Sequence, residues 1–318
     1  MEITINNGTN NIVNNTGVYN SVKVQNTPTE TDHLQLNNVV TSQPEYEFEA
    51  TEDTQIIYGE TPSEPADSVV EIASTRSSIT DTYKAYQTKL KDLGFYSGSI
   101  DGNLSTAASK KAILNFQKLY SMNETGTMDG NTIGSLSSIY SQYSKAYTAT
   151  ANLPSYYSLD TEQKKNVARV WVYLKNRMGL NSVQAAGAMG NIMQESLFSA
   201  TNANDGFYPG ANNPDYNFSQ TDDIAYGIMQ WKDDPRKKVL ADQADNFGVH
   251  ESDIIAQLAC MKAESTMDNI CKSGWESLRQ CTTVASAATV FKNEIEQCND
   301  DSLQDRINYA QVFYNVLA

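Results

Sequence analysis

From residue 81 onward, apolar stripes at three- and four-residue steps alternate with polar, glycine-bearing breaks, a pattern that predicts packed helices. Tyr83, Tyr86, Leu90 and Leu93 form the first stripe, running from Asp81 to a stop at Gly94. Ala112, Ile113 and Phe116 mark a second helix, and Ile133 and Leu136 a short third one after Asp129. Residues 144–159 are rich in Tyr, Ala and Thr, contain Pro154, and predict a linker. Asp160 or Thr161 then caps a helix to about Met178, with Val167, Val170, Trp171 and Leu174 inward and Gly179 at its end. Asn181 or Ser182 caps the next, from Val183 to Glu195. Residues 199–223 read as a long loop or small hairpin region, and helical patterns resume from Pro235, Asp253, Trp275, Val284 and Ser302.

Ahead of all this, residues 1–77 are dominated by Asn, Thr, Ser and acidic side chains, with prolines at 28, 44, 62 and 65. Apolar residues there are too sparse to bury a core, so the segment is expected to be a disordered tail. Only Ile3–Ile5 and Gln55–Tyr58 look β-like. The fold class that follows is mainly α: a tail over 1–77, a three-helix module over 78–143, a linker over 144–159, and a larger, mostly helical domain over 160–318.

The net charge is −15, and residues 1–78 hold twelve acidic side chains against Lys23 and Arg76. With no basic face, nucleic acid and anionic membranes are not expected partners. No run approaches the roughly 18 apolar residues of a membrane span, and Met1–Asn15 lacks the features of a Sec signal peptide. Cys260, Cys271, Cys281 and Cys298 fit no zinc spacing, so they are either buried thiols or one or two disulfides. No metal and no cofactor is expected. His33 lies in the tail, and His250, beside Glu251, reads as a surface histidine, which leaves zinc and Cys–His peptidase chemistry without a base.

The chemistry concentrates in two stretches, Gly190-Asn191-Ile192-Met193-Gln194-Glu195-Ser196 and Tyr226-Gly227-Ile228-Met229-Gln230-Trp231. Glu195 falls at the C-terminal end of an apolar helix, one turn from Asn191. The helix dipole and nearby Met193, Phe198 and Trp231 disfavour an ionised carboxyl there, the condition for a general acid. Gly187 and Gly190 admit a neighbouring helix at close range. The second stretch offers a glycine for close backbone approach, the Gln230 amide for sugar hydroxyls and aromatic faces for pyranose stacking.

Two family resemblances follow from these residues. Tyr86-Gln87, Leu90, Leu93-Gly94-Phe95-Tyr96-Ser97-Gly98, Ile100-Asp101-Gly102, Phe116-Gln117 and Thr125-Gly126 make residues 81–140 resemble the peptidoglycan-binding domain type 1 family. The Glu195 and Gln230 motifs come with the run Gln184–Asn191, Arg236, Asp253-Ile254, Gln257-Leu258, Arg306–Ala310 and Tyr314. Together they make residues 160–318 resemble the phage tail lysozyme family, within the goose-type lysozyme and lytic transglycosylase superfamily. The resemblance implies a muramidase acting outside the cell on bacterial peptidoglycan, delivered by lysis, a virion or another export route. Glu195 would be the catalytic acid, with Asn191, Gln194, Tyr226, Gln230 and Trp231 lining the glycan cleft.

A second carboxylate is less determined. Asp205, Asp215, Asp222 and Asp223 lie between the two motifs, with Asp223 favoured, and Glu296 matches a family glutamate of structural or functional role. Without one, Glu195 would serve as acid and then base, the lytic transglycosylase route. A non-catalytic wall-binding protein with the same fold is the alternative of another class.

Overall fold

In the computed structural model of the chain, residues 11–13, 19–21, 67–204, 216–232 and 234–318 are described. Most of the segment expected to be a tail lies outside them, as do Ile3–Ile5 and Gln55–Tyr58. The chain divides into two units, Met1–Ile56 and Ile57–Ala318. Within the first, β1 (Asn11–Val13) pairs antiparallel with β2 (Tyr19–Ser21), Ile12 opposite Asn20.

The second unit is helical. It opens on α1 (Asp67–Asp92), which begins well before the expected Asp81. Next come α2 (Ala107–Leu119) and α3 (Gly130–Ala149). Thr106 and Asp129 cap the latter two, accepting hydrogen bonds from Ser109 N and Thr132 N. Two glutamines organise the turns between these helices. Gln87 Oε1 accepts from Gly102 N at 2.8 Å, while its Nε2 donates to Asp101 Oδ1 at 2.7 Å. Gln117 repeats the device, accepting from Gly126 N at 2.9 Å and donating to Thr125 Oγ1 at 2.9 Å. Both turns need their glycine: φ is +79° at Gly102, where a Cβ would lie 2.7 Å from Thr80 O. The Gln and Gly pairs of the sequence motif are therefore matched parts of two turn clamps.

The expected linker at 144–159 is not a free connection. α3 continues through Ala149, two 3-10 turns follow at Thr150–Asn152 and Ser155–Tyr157, and Tyr157 and Leu159 are buried. Tyr157 packs on Tyr309 and Phe313, while its neighbour Tyr156 is exposed.

α4 (Thr161–Asn176) and α5 (Ser182–Ser196) each start with a capping box, Asp160 with Gln163 and Asn181 with Gln184. Beyond them lie the short pair β3 (Ala203–Asn204) and β4 (Ala225–Tyr226), then α6 (Asp234–Phe247), α7 (Ile254–Glu264), α8 (Lys272–Gln280), α9 (Val284–Val290) and α10 (Leu303–Leu317). α9 runs directly into a π-helical turn, Phe291–Glu296.

The core centres on α5. A Cβ at Gly187 would lie 2.6 Å from the Ala287 carbonyl carbon of α9, and one at Gly190 would lie 2.6 Å from Ala310 N of α10. The two glycines thus admit two helices rather than one, and α5 is buried from Gln184 to Met193. The three-helix module is fastened to this body. Arg169 Nε donates to Asp92 O at 2.9 Å, Arg177 Nε to Leu119 O at 2.9 Å, and Asn115 Nδ2 to Phe247 O at 3.1 Å. The carbonyls that end α1 and α2 thereby acquire guanidinium partners, Arg169 of α4 and Arg177 just beyond it.

All four cysteines are free thiols, with Cys260, Cys271 and Cys281 buried. Among the described residues no helix is long and apolar enough to cross a membrane, and no group of His, Cys, Asp and Glu is placed to hold a metal.

Candidate active site

Glu195 occupies the last turn of α5, where the helix ends abruptly. Leu197 and Phe198 both take left-handed backbone, φ 53° and 61°. Two consecutive non-glycine residues in that region store strain, a state that persists where the surroundings enforce it and that concentrates at functional sites. Phe198 is held by burial against Phe313, and Leu197 is left 37 % exposed.

The side chain of Glu195 does not sit in a purely apolar pocket. Met193, Phe198 and Trp231 are buried, as expected, yet Arg306 from α10 donates through Nη2 to Glu195 Oε1 at 2.5 Å. That guanidinium is 1 % exposed, whereas the Glu195 side chain is 17 % exposed. Arg306 is placed by four further contacts: Nη1 donates to Asn191 Oδ1 at 3.0 Å, Nε to Ser302 Oγ at 2.8 Å, and Nη2 also to Asp300 Oδ2 at 3.2 Å and Cys298 Sγ at 3.6 Å. Asn191 is anchored by donating to Gly187 O at 2.8 Å and Ala288 O at 3.1 Å. Burial works against the Arg306 charge, but Glu195 and its acidic neighbours outweigh it and hold that pKa above the usual value.

The second motif is brought to the first. Tyr226 and Trp231 exchange backbone hydrogen bonds at 3.0 and 2.9 Å, closing a tight turn with Gln230 at φ 51°. Gly227 N donates to Asn202 O at 2.8 Å, and Asn202 Nδ2 donates to the Glu195 carbonyl at 3.2 Å. Ser196 Oγ donates to Ile228 O at 2.9 Å. Gln230 Nε2 donates to Gly227 O at 2.8 Å and Asn202 O at 3.2 Å. Gly227 is required here, since a Cβ would lie 2.8 Å from Gln257 Nε2.

Several residues expected to touch a glycan have other roles in this conformation. Asn191 and Trp231 are fully buried and Tyr226 is 2 % exposed, so none offers a face to a sugar. Trp231 Nε1 instead donates to Glu264 Oε2 at 3.1 Å, and Arg236 grips the same carboxylate through Nε at 2.8 Å and Nη2 at 3.1 Å. Glu264, wholly buried, anchors the turn. Burial pushes the Tyr226 phenol up to about 12. Gln194 and Gln230 remain half-buried.

The acids between the motifs are also redistributed. Asp205 and Asp215 lie outside the described residues. Asp222 is committed to the buried Lys237 and to Tyr216, whose hydroxyl donates to it at 2.6 Å. Burial would raise its pKa, but these partners hold it below the usual range. Asp223, favoured as second carboxylate, is exposed.

Sequence reading misses Asp300, which is 43 % exposed and shares Arg306 Nη2 with Glu195. Burial alone would raise its pKa, but Ser302 and Arg306 keep it below the usual value. Glu296, at the end of the π-helical turn, has Oε1 sealed from solvent and without a hydrogen-bond partner. His250 is on the surface, bonded to Ser252 Oγ at 2.9 Å. One cavity of 280 Å3 is lined by Gly94, Asp160, Asn166 and Asp253 among others, and another of 520 Å3 by Glu294, Gln297 and Cys298 among others.

Residues 165–317 match the phage tail lysozyme family, and residues 80–136 match the putative peptidoglycan binding domain family. No curated protein and no solved structure matches the chain. The chain thus carries a region similar to the phage tail lysozyme family behind a region similar to a peptidoglycan-binding domain, which supports cell-wall peptidoglycan as its partner.

Proposed function

We propose that the chain is a muramidase, hydrolysing the β-1,4 bond between N-acetylmuramic acid and N-acetylglucosamine, with Glu195 as proton donor to the glycosidic oxygen. One observation carries the reading. Glu195 is a partly open carboxyl at a strained helix end, tied through Asn202 and Ser196 to the Gln230 turn. Glu264, bonded to Trp231 of that turn, is sealed into structural bonds.

Asp300 is the best-placed second carboxylate. It meets the same Arg306 nitrogen as Glu195, and two carboxyls so close suit a retaining reaction, where separations are roughly 5 Å. One observation favours a second reading. Asp300 already accepts from Arg306 and Ser302 and pairs with Lys292 at 3.4 Å, which blunts it as nucleophile or base. Glu195 would then act twice, giving the anhydro-muramic ends of a lytic transglycosylase.

Digestion of purified peptidoglycan by the full chain tests both. Wild-type protein is expected to release soluble muropeptides, and Glu195→Gln to lose roughly a hundredfold or more of that rate while still sedimenting with wall. Undiminished release by Glu195→Gln refutes the assignment. Mass spectrometry separates the routes, since transglycosylase ends lack one water. A wild-type protein that binds wall and releases nothing is a structural wall-binding protein.

A further inference from the structure

Away from Glu195, α1 and α3 of the three-helix module carry a strip of tyrosines with a lysine in its middle. On α1, the ring centroids of Tyr83 and Tyr86 are 6.5 Å apart and their planes 32° apart. On α3, Tyr140 and Tyr143 are 5.8 Å apart at 31°, and Tyr143 and Tyr147 are 5.9 Å apart at 5°. Lys89 joins the two sets, its Nζ 5.9 Å from the Tyr86 centroid and 5.8 Å from that of Tyr140. Tyr143 is buried, whereas the other four tyrosines are half-buried and keep part of each side chain at the surface.

Aromatic residues at helical spacing ordinarily serve a core, and a tyrosine so used finds a partner for its hydroxyl. Tyr140 does, donating to Asp92 Oδ2 at 2.8 Å. Among the described residues, the hydroxyls of Tyr83, Tyr86 and Tyr147 make no hydrogen bond, and Lys89 makes no ion pair, only a 3.4 Å contact with Ser137 Oγ. The strip therefore presents partly open rings of similar tilt, three uncommitted hydroxyls and one unneutralised cation. It also lies in the basic part of the chain: residues 79–145 hold seven lysines against five acidic side chains, where the whole carries −15.

A succession of similarly oriented rings suits a polymer of rings. The C–H face of a pyranose stacks on an aromatic ring, its hydroxyl and acetamido edges bond a phenol, and each muramic acid brings a carboxylate. Taking peptidoglycan as the partner, on which this inference rests, we propose that the Tyr83–Tyr147 strip binds the glycan strand itself rather than its stem peptides. Successive sugars lie along the two helices, with a muramic carboxylate opposite Lys89. The α3 half of this surface is not supplied by the region matched to the binding-domain family, which ends at residue 136, whereas α3 continues to Ala149.

Binding by the full-length protein, in the cold where turnover is slow, provides the test. The probes are purified peptidoglycan in a sedimentation assay and a soluble β-1,4-linked N-acetylglucosamine oligomer by titration. Tyr83→Ala, Tyr86→Ala and Tyr147→Ala should each weaken both by roughly tenfold, the scale of one lost stacked ring. Tyr86→Phe and Tyr147→Phe, which keep the ring, should retain most of the affinity. Tyr86 and Tyr147 pack partly on the core and Tyr83 stands outside it, so Tyr83→Ala stays informative should the others unfold. Lys89→Met should weaken binding to glycan strands stripped of stem peptides, which still bear muramic carboxylates, and leave the uncharged oligomer unaffected. Recognition that follows free stem peptides and ignores stripped strands overturns the proposal. So does a loss of self-association, in place of wall binding, on the same tyrosine substitutions. Wild-type protein that binds no peptidoglycan sinks the partner; tyrosine variants that bind as well as a binding wild type sink only the strip.

Discussion

Gly190 of α5 and Ala310 of α10 meet backbone to backbone, and a Cβ at position 190 would lie 2.6 Å from Ala310 N. The contact sets the distance between the helix that carries Glu195 and the helix that carries Arg306, which are joined at 2.5 Å across it. Gly190→Ala must push the helices apart. Overpacking of this kind costs about 1–3 kcal/mol, and small displacements at a catalytic group are expensive in rate. The expected outcome is a lower denaturant midpoint together with a larger loss of turnover than of wall binding. An alanine variant with wild-type turnover would show that the Glu195–Arg306 spacing is not set here.

Glu264 ties the Gln230 turn to α6 through Trp231 and Arg236, and it is wholly buried. Glu264→Ala leaves the Arg236 charge, 12 % exposed, without its partner. Breaking a buried pair from one side costs about 3–5 kcal/mol. Equilibrium unfolding should register that loss, and a change within a few tenths of a kcal/mol would count against the anchoring role.

Stability should respond to pH through two groups of opposite sign. Glu296, raised above 4.5 by burial and then by Glu195, binds a proton in the native chain that the unfolded chain has released. Its contribution is therefore full below 4.5 and is lost as pH rises. Asp300 lies below 3.8 when folded, against the pull of burial, because Ser302 and Arg306 bind its charged form. Its contribution is present above 3.8 and disappears as pH falls. Glu296→Gln removes the first effect. Its melting temperature relative to wild type should be near parity at about pH 4 and gain steadily toward neutrality. A difference that does not vary with pH contradicts a buried neutral Glu296.

Arg169 links the three-helix module to the larger body through Asp92 O, and its ion pair with Glu162 adds little because that glutamate is 59 % exposed. Arg169→Ala should cost about 1–3 kcal/mol for the unpaired carbonyl and lost donor. If the module and the body unfold as one, the whole melting transition moves down together. Two separated transitions in the wild type would show that the contacts do not couple them.

Much of this architecture is written in local pattern. The helix starts at Asp160, Asn181 and Asp253, the turn clamps built on Gln87 and Gln117, and the placement of Glu195 at a helix end are decided by caps, glycines and apolar spacing within a few residues. Composition misled where its two meanings coincide. The Tyr-rich stretch 144–159 reads as a linker because tyrosine is tolerated at surfaces, while Tyr157 within it is buried against Tyr309 and Phe313, more than a hundred residues away.

By itself the sequence determined which residues could carry chemistry, since only side-chain type and short-range spacing are needed to recognise a helix-end carboxylate or a glycine-glutamine turn. Which of them are open and which are spent was decided by tertiary contacts between distant segments. Trp231 and Asn191, as suited to a sugar on paper as Gln194, are sealed by Glu264 and Arg306, and the latter arrives from 111 positions along the chain from Glu195. Burial and ionisation depend on everything within a few ångströms, and no one-dimensional pattern states what those neighbours will be.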